Sequence, residues 1–333
     1  MSVPGSNLNP SFNITRASHV VLTVKDLDAS RRFYEDVIGL ILTEGDSDAL
    51  YFRGIEEACH HSLVLRRSDG APSCERIGLR MYTEADLEQA HRHFTEAGCP
   101  VEWVDVPHQG PTLHVTDPVG VPLEFCARMP VLPRQITRFE RHRGGCAQRL
   151  DHYQLHTPHL RTAFAFYLEM GFRLSEYIED DEEHLRAVFL QRKGNPHDIV
   201  FFEGAGPHLQ HFAFVAQDGQ TLLKACDVAG ALGYGSRVER GPGRHGPGHA
   251  MFVYFRDPDG HRVELFNTHY QVMDIEVEPI RWDPADRNVS FPWGLPAQRT
   301  WFEESTSFAA TPVEQPDRKA APLTLERFLA ERR

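Results

Sequence analysis

Short apolar runs with a two-residue period alternate along the chain with polar segments that have a helical period. Residues 19–24 (HVVLTV) predict a strand, and residues 28–37 (DASRRFYEDV) predict a short helix with Asp28 as its N-cap and Gly39 at its end. Several short strands follow, and a new strand and helix begin near Arg76. The pattern therefore predicts βαβββ modules.

The second half of the chain repeats the plan of the first half. A histidine precedes a Phe-Tyr pair by 14 residues in each half, at His19 and at His152. Each half also ends on a similar turn and strand, DPVGVPLEF and then DPDGHRVEL, which place Glu124 and Glu264 at matching points. The offsets between these pairs, 133 and 140 residues, indicate an internal duplication.

Four βαβββ modules, two in each half, predict an α+β fold with two domains. We expect each pair of modules to form a strongly curved sheet that closes around a cavity as an open barrel. The expected organisation is a leader over 1–16, an N-terminal domain over 17–130, a connection over 131–150, a C-terminal domain over 151–269, a wrapping or lid segment over 270–308 and a disordered tail over 309–333.

Composition and charge narrow the classes of function. The chain has 47 acidic and 35 basic residues, a balance of −12 that argues against a nucleic-acid partner. Apolar runs stay shorter than the ~20 residues that cross a bilayer, and the N-terminal sequence lacks the features of a secretion signal. The six cysteines show no CxxC spacing, so we expect reduced thiols in a cytoplasmic protein.

One acid stands out because Glu264 lies inside an apolar strand, where a carboxylate is costly unless it is paired or bound to a cation. The duplicated pattern begins other strands at His152 and His211, and strand side chains alternate between faces. We therefore expect the two imidazoles and the carboxylate to converge in the C-terminal cavity. Such a set, with open positions, is the facial triad of non-heme Fe(II) oxygen chemistry.

The first half serves as an internal control for this site. His19 and Glu124 occupy the equivalent places, but the position of the second histidine falls near Ile77. Since that half lacks one ligand, we predict that it binds no metal tightly and that only the C-terminal half is active.

The ordered set LDHYQLHTPH, FLQRKGNPHDIVFFEG, HLQHFAFVA and ERGPGRHG with YFRDPDGHRVELF resembles the type I extradiol catechol dioxygenases of the vicinal oxygen chelate superfamily, in particular the homoprotocatechuate 2,3-dioxygenase branch. The resemblance covers residues 17–305 and is strongest over 150–266. It implies the vicinal oxygen chelate fold and Fe(II), or Mn(II) in some members, held by His152, His211 and Glu264. It also implies ring cleavage of a catechol by O2 to a 2-hydroxymuconic semialdehyde, in a homo-oligomer that is often a tetramer.

The same resemblance implies roles for residues around the metal. His197 matches the family's second-sphere acid/base histidine, and Tyr254 and His245 match groups that contact the bound catechol and oxygen. Arg240 matches a residue that contacts the ring substituent, and Phe189 stands where a larger aromatic ring lines the pocket.

Departures from the branch bear on the substrate. Gln154 stands where the branch has an asparagine, and Ser290 falls where the branch has a second arginine for the substrate carboxylate, although Arg287 could substitute. These changes favour catechol or an alkylcatechol, with 3,4-dihydroxyphenylacetate as the alternative. We expect Trp293, in the lid segment, to complete the substrate wall.

Two other functions fit the same fold. A metal-dependent isomerase or thiol transferase of the glyoxalase kind usually takes ligands from both module pairs, and the gap near Ile77 together with His197 and Tyr254 speaks against it. A non-catalytic binding protein is disfavoured because all three ligands are retained.

Overall fold

A computed structural model describes residues 4–318 and 322–331, which form two similar sheets, one from each half of the chain. The first half contains strands β1 (Ile14–Val24), β2 (Ile41–Gly45), β3 (Ala49–Arg53), β4 (Leu63–Arg67), β5 (Cys74–Met81), β6 (Val101–Val104), β7 (Thr112–Thr116) and β8 (Pro122–Cys126), with helices α1 (Leu27–Arg32) and α2 (Glu84–Glu96).

The second half contains strands β9 (Leu150–Thr157), β10 (Arg173–Glu179), β11 (Leu185–Gln191), β12 (Ile199–Glu203), β13 (His208–Val215), β14 (Val238–Arg244), β15 (Met251–Arg256) and β16 (Arg262–Asn267), with helices α3 (Leu160–Glu169) and α4 (Gly219–Ala231). The segment after β16 adds β17 (Ile280–Trp282), α5 (Arg287–Ser290), α6 (Arg299–Glu303), β18 (Thr306–Ser307) and α7 (Leu325–Ala330). In the described part of the chain, no helix combines the length and apolar character needed to cross a lipid bilayer.

The strand order confirms the α+β fold and its four βαβββ modules. The first sheet runs β2-β3-β4-β1-β5-β8-β7-β6, and the second repeats that order as β10-β11-β12-β9-β13-β16-β15-β14. Both sheets are open, and β17 extends the second one beside β10.

Strand pairing shows which residues correspond in the two sheets. His19 lies opposite Gly78, which lies opposite Glu124. His152, Ala213 and Glu264 are paired in the same way. Two residues before Ala213 is His211, so its equivalent two residues before Gly78 is Arg76 and not Ile77. The pairing is regular from His19 to Val21, so the difference comes from the lengths of the connections, because the offset between the halves is 133 residues at His19 and 135 at Gly78.

The two halves are joined by a reciprocal pair of buried hydrogen bonds. The Tyr34 hydroxyl, on the helical segment after α1, donates to Asp257 Oδ2 at 3.0 Å. The equivalent Tyr167 hydroxyl, on α3, donates to Asp117 Oδ2 at 3.2 Å. Each half therefore holds the closing turn of the other, which explains why both the tyrosine and the Asp-Pro turn occur twice. Apolar residues of both sheets also belong to one continuous core.

One local prediction was wrong. Helix α1 begins at Leu27, because the Asp26 side chain accepts a hydrogen bond from the Ala29 amide and caps the helix in place of Asp28. Strand β14 contains the Gly/Pro-rich stretch that begins at Arg240. Proline is tolerated there because β14 is an edge strand, where Pro242 needs no amide hydrogen on its outer side.

The tail after residue 308 makes backbone hydrogen bonds to the rest of the chain where it is described, and its disorder stays a prediction. The Ala309 amide donates to Cys74 O, and the backbones of Gly206 and Glu314 exchange two hydrogen bonds. Helix α7 buries Phe328 against the body. Long-range backbone pairing of this kind leaves no trace in composition. Residues 319–321 and 332–333 lie outside the described residues.

Candidate active site

Three adjacent strands bring His152, His211 and Glu264 together at the centre of the second sheet. Glu264 Oε2 lies 3.2 Å from His152 Nε2 and 3.3 Å from His211 Nε2. All three side chains are buried, and their ligand atoms lie within 4.8 Å of one another. The structure thus places the three residues as the alternation of the strands predicted.

The outer nitrogen of each imidazole is held by the residue that precedes it. His152 Nδ1 lies 3.0 Å from Asp151 Oδ2, and His211 Nδ1 lies 2.5 Å from Gln210 Oε1. An Nδ1–H that donates to these oxygens leaves Nε2 as a lone pair facing Glu264, which is the usual arrangement around a metal-bound histidine. Two nitrogens and one carboxylate oxygen with these supports fit a divalent metal ion. Asp151 and Gln210 were not predicted.

The charges around the cluster favour a cation. Burial alone would raise the pKa of Glu264, but hydrogen bonds and charge from His152 and His211 outweigh it and hold that pKa well below its usual value. Burial likewise opposes ionisation of Asp151, yet the Lys193 ammonium and His152 lower the pKa of that carboxyl. Two buried carboxylates therefore stay ionised around the two imidazoles.

His197 lies beside the cluster and is joined by a histidine that was not predicted. The His197 ring is buried, with its centroid 4.4 Å from that of His152, and its Nδ1 has no hydrogen-bond partner among the described residues. The centre of the His269 ring lies 4.7 Å from that of His197 and 4.3 Å from that of Phe266, on which it stacks. Because His269 follows the end of β16, the alternation that located Glu264 does not extend to it.

Tyr254 and His245 form the opposite side of the site. Tyr254 pairs directly with Glu264 across β15 and β16, and its hydroxyl lies 2.7 Å from His245 Nε2. The His245 ring stacks on Phe252 at 3.9 Å, and its Nε2 is 3.8 Å from Glu264 Oε1. Burial, with the nearby Arg240 charge, lowers the pKa of His245 well below its usual value.

Arg240 reaches the same side through aromatic rings. Its guanidinium carbon lies 4.5 Å from the ring centre of Trp301 and 4.9 Å from that of Phe252, distances typical of cation–π contacts. Arg262 lies 4.5 Å from the Trp301 ring and is paired with Glu239 at 2.6 Å. Trp301 belongs to α6, so the segment after β16 contributes directly to this wall.

An apolar wall continues from His197, whose ring centre is 5.4 Å from that of Phe189. The wall consists of a buried cluster with two partly buried rings packed against it, namely Ile178, Ala187, Phe189, Val200, Val289, Phe202 and Trp282.

The buried carboxylate of Glu176 ties three segments behind that wall. Its oxygens accept hydrogen bonds from the Gly248 amide at 2.7 Å, the Tyr270 hydroxyl at 2.7 Å and Trp282 Nε1 at 2.5 Å. Burial raises the pKa of Glu176, although the three donors oppose that shift. Sequence reasoning did not predict Glu176.

The remaining predicted residues differ in position. Gln154 is paired with His211 across β9 and β13, so it lies beside the metal-ligand candidates. Trp293 is 48% exposed in the loop after α5, and its contact with substrate stays a prediction; Trp282 and Trp301 are the tryptophans that contact site residues. Ser290 and Arg287 are in α5, and their side chains lie outside the described part of the structure.

Comparison with known proteins gives consistent results. The model of the Glyoxalase/Bleomycin resistance protein/Dioxygenase superfamily matches residues 16–125 and 149–265. The manganese-dependent 2,3-dihydroxybiphenyl 1,2-dioxygenase of Geobacillus genomosp. 3 is 27% identical over 86% of this chain and 95% of that protein. The metapyrocatechase of Pseudomonas sp. (strain CF600) is 27% identical over 82% of this chain and 92% of that protein.

Solved structures resemble the whole chain. A variant of homoprotocatechuate 2,3-dioxygenase from B. fuscum superposes with a TM-score of 0.91 at 32% identity, covering 96% of this chain and 91% of that one. The complex of the Brevibacterium fuscum enzyme with 3,4-dihydroxyphenylacetate gives 0.88 at 34% identity, covering 94% and 99%. The chain therefore belongs to the Glyoxalase/Bleomycin resistance protein/Dioxygenase superfamily, and the vicinal oxygen chelate fold expected from its motifs is confirmed.

Proposed function

We propose that this chain, an extradiol ring-cleaving dioxygenase, binds Fe(II) through His152, His211 and Glu264. It would break the ring bond beside the two hydroxyl groups of a catechol, and both atoms of O2 would enter the 2-hydroxymuconic semialdehyde product. The observation that carries this proposal is the buried cluster of two imidazoles and one carboxylate with its outer nitrogens already supported. Mn(II) is the alternative metal, since one relative is named as manganese-dependent.

When bound, such a metal lowers the pKa of a catechol hydroxyl and brings the catechol and O2 to one centre. The side chains then divide the remaining work. His197, buried next to His152, would accept a catechol proton and return it later. The Tyr254 hydroxyl, which lies 2.7 Å from His245 Nε2, would donate a hydrogen bond to a substrate oxygen.

The preferred substrate is catechol or an alkylcatechol. The support is the apolar wall that extends from Phe189, because an uncharged substituent loses nothing by burial there. Relatives named for dihydroxybiphenyl and as metapyrocatechases are consistent with an uncharged substituent.

The second candidate substrate is 3,4-dihydroxyphenylacetate. It is favoured by Arg240, which lies on the Tyr254 side of the site, and by the overall similarity to homoprotocatechuate 2,3-dioxygenase. Arg240 packs against the rings of Trp301 and Phe252, which makes it a part of the wall as well as a charge.

Oxygen uptake after anaerobic loading with Fe(II) tests the reaction, and comparison of substrates tests the preference. We expect uptake with catechol, formation of a yellow product, and a higher kcat/KM for catechol or methylcatechol than for 3,4-dihydroxyphenylacetate. Absence of uptake with every catechol would refute the reaction. A strong preference for the acid would refute the substrate proposal and leave the reaction intact.

The proposal also includes a homo-oligomer, the tetramer that the family resemblance implies, and a cytoplasmic location. Their support is the resemblance and the sequence alone. Light scattering on the purified protein tests the subunit count.

A further inference from the structure

The N-terminal half contains a cluster of metal-binding side chains outside the place that matches the active site. Glu44, His60 and His108 have ligand atoms within 4.8 Å of one another. His60 Nε2 lies 3.3 Å from Glu44 Oε2, and His108 Nε2 lies 3.5 Å from Glu44 Oε1. Both imidazoles thus direct the same kind of nitrogen at one carboxylate.

Strand pairing shows that Glu44 is the duplicate of Glu176. Glu44 lies opposite Tyr51 directly after a register shift, and Glu176 lies opposite Phe189 directly after a register shift. In the second half Glu176 is buried under the segment that carries Tyr270 and Trp282. The Glu44 side chain is 56% exposed and contacts the imidazoles of His60 and His108. Glu176 instead accepts hydrogen bonds from a backbone amide, a phenol and an indole.

His108 occupies the duplicated position of Gly248. Each lies six residues before the residue that pairs with the strand acid, His114 or Tyr254. Both positions are left-handed, with φ of 62° and 67°, a conformation that costs little for glycine and more for histidine. The first half therefore keeps an imidazole at a backbone position that favours glycine.

His60 is supported from behind by His61. The two Nδ1 atoms are 3.1 Å apart, so one proton lies between them. His61 is fully buried, and its Nε2 has no partner among the described residues. An ion on His60 Nε2 would fix the proton on His60 Nδ1 as a donor to His61, which is the support that a metal-bound histidine requires.

We propose that Glu44, His60 and His108 form a second metal site, which binds a divalent transition-metal ion such as Zn²⁺. Two imidazoles and one carboxylate, with a water as fourth ligand, are an established ligand set for zinc. The ion fastens the loop of His108 to strand β2, as the hydrogen bond from Gly248 to Glu176 does in the second half. The two rings now stack at 4.0 Å, and His108, with 26% of its side chain exposed, turns to bring the nitrogens onto one ion.

Zinc titration of the full chain tests this site separately from ring cleavage. A His211→Ala protein removes the candidate active-site metal, and ZnCl2 is titrated against a chromophoric zinc indicator. We expect one tight equivalent, a rise in Tm with zinc, and Co²⁺ absorption typical of four ligands. The double substitution His60→Ala and His108→Ala, in the same background, should weaken this equivalent by at least about tenfold.

A matched control replaces His91 and His159, which lie on other elements, and should keep the tight equivalent. Glu44→Gln, at an exposed position, tests the site without removing buried atoms and should also weaken zinc binding. Equal stoichiometry and affinity in the His60→Ala/His108→Ala protein and its parent would overturn the proposal. Absence of an anomalous peak between these side chains in zinc-soaked crystals would overturn it as well.

Discussion

The two halves of the molecule have the same topology, but the carboxylate at the centre of each sheet differs in how closely its partners approach. In the first half, Glu124 Oε1 lies 2.7 Å from His19 Nε2, and Glu124 Oε2 lies 2.7 Å from His114 Nε2. In the second half, Glu264 Oε2 lies 3.2 and 3.3 Å from His152 and His211. The shorter distances are those of direct charge-assisted hydrogen bonds, whereas the longer ones leave room for an ion.

The small residue between the two ligand strands accounts for part of this difference. A β-carbon added at Gly78 would lie 2.2 Å from the His19 ring, so this imidazole occupies the space that corresponds to the Ala213 methyl group. Gln109 also donates to Glu124 Oε1 at 2.7 Å. The first half satisfies its acid with protein groups, and the comparison teaches that neighbouring imidazole and amide groups can satisfy a carboxylate at this position of the sheet.

Replacing a ligand candidate of the second half with the residue type found at the equivalent position of the first half should have the largest effect on activity. His211→Arg places the side chain type of Arg76 at the equivalent ligand position, and the added cation repels a metal ion. We expect loss of iron binding and of all measurable ring cleavage, measured as iron content and oxygen uptake. The matched substitution Arg76→Gln should leave both unchanged; retained iron in His211→Arg would contradict the ligand assignment.

His197 and His61, which occupy equivalent positions in the two halves, should differ in their effect on catalysis when they are replaced. His197→Asn removes the proposed acid/base group, and we expect kcat to fall by roughly 10²–10⁴-fold with the iron content unchanged. His61→Asn should leave kcat unchanged, although His61 lies two residues before the paired strand β4 as His197 lies two residues before β12. Equal effects of the two substitutions in steady-state kinetics would contradict an acid/base role for His197.

Replacing Asp151, the acceptor that orients His152, should have a smaller effect, and Ser18 beside His19 provides the comparison. Asp151→Asn weakens the hydrogen bond that orients His152, and we expect iron affinity to fall about 10–100-fold. Ser18, whose hydroxyl lies 3.0 Å from His19 Nδ1, is the equivalent residue. Ser18→Ala should leave iron affinity unchanged in a chelator-competition titration, and an unaltered affinity in Asp151→Asn would remove the proposed support.

Glu176 and Glu44, the equivalent acids that follow a register shift in each half, should differ in their contribution to the free energy of unfolding. Glu176→Gln replaces one acceptor oxygen with a donor that faces Trp282 or Tyr270, and we expect a loss of ~1–3 kcal/mol in the free energy of unfolding. Glu44→Gln, at the exposed equivalent position, should cost less in metal-free protein. Denaturant unfolding measures both, and a larger loss for Glu44→Gln would reverse the comparison.

The sequence allowed prediction of the duplication and of the convergence of His152, His211 and Glu264, because strand alternation and repeated spacing are local properties. The sequence placed the equivalent of His211 near Ile77, one residue from Arg76, because the offset between the halves changes along the chain, from 133 residues at His19 to 135 at Gly78. His269 was missed because it follows the end of its strand.

The contacts of the tail could not be predicted for a different reason. Backbone hydrogen bonds join Glu314, in a polar, proline-containing stretch, to Gly206, which is more than 100 residues away in sequence. The acceptors Asp151 and Gln210 were also unpredicted, although both directly precede a ligand candidate, and Ser18 has the same relation to His19. An acceptor at that position is a local signal that could have been found.

The central claim is that the second half holds the catalytic iron and the central site of the first half holds none. Anomalous diffraction from crystals of anaerobically Fe(II)-loaded protein, recorded on both sides of the iron absorption edge, tests it most directly. We expect an iron peak bounded by His152 Nε2, His211 Nε2 and Glu264, with no peak between His19 and Glu124. An iron peak between His19 and Glu124, or no peak in the second half, would contradict it.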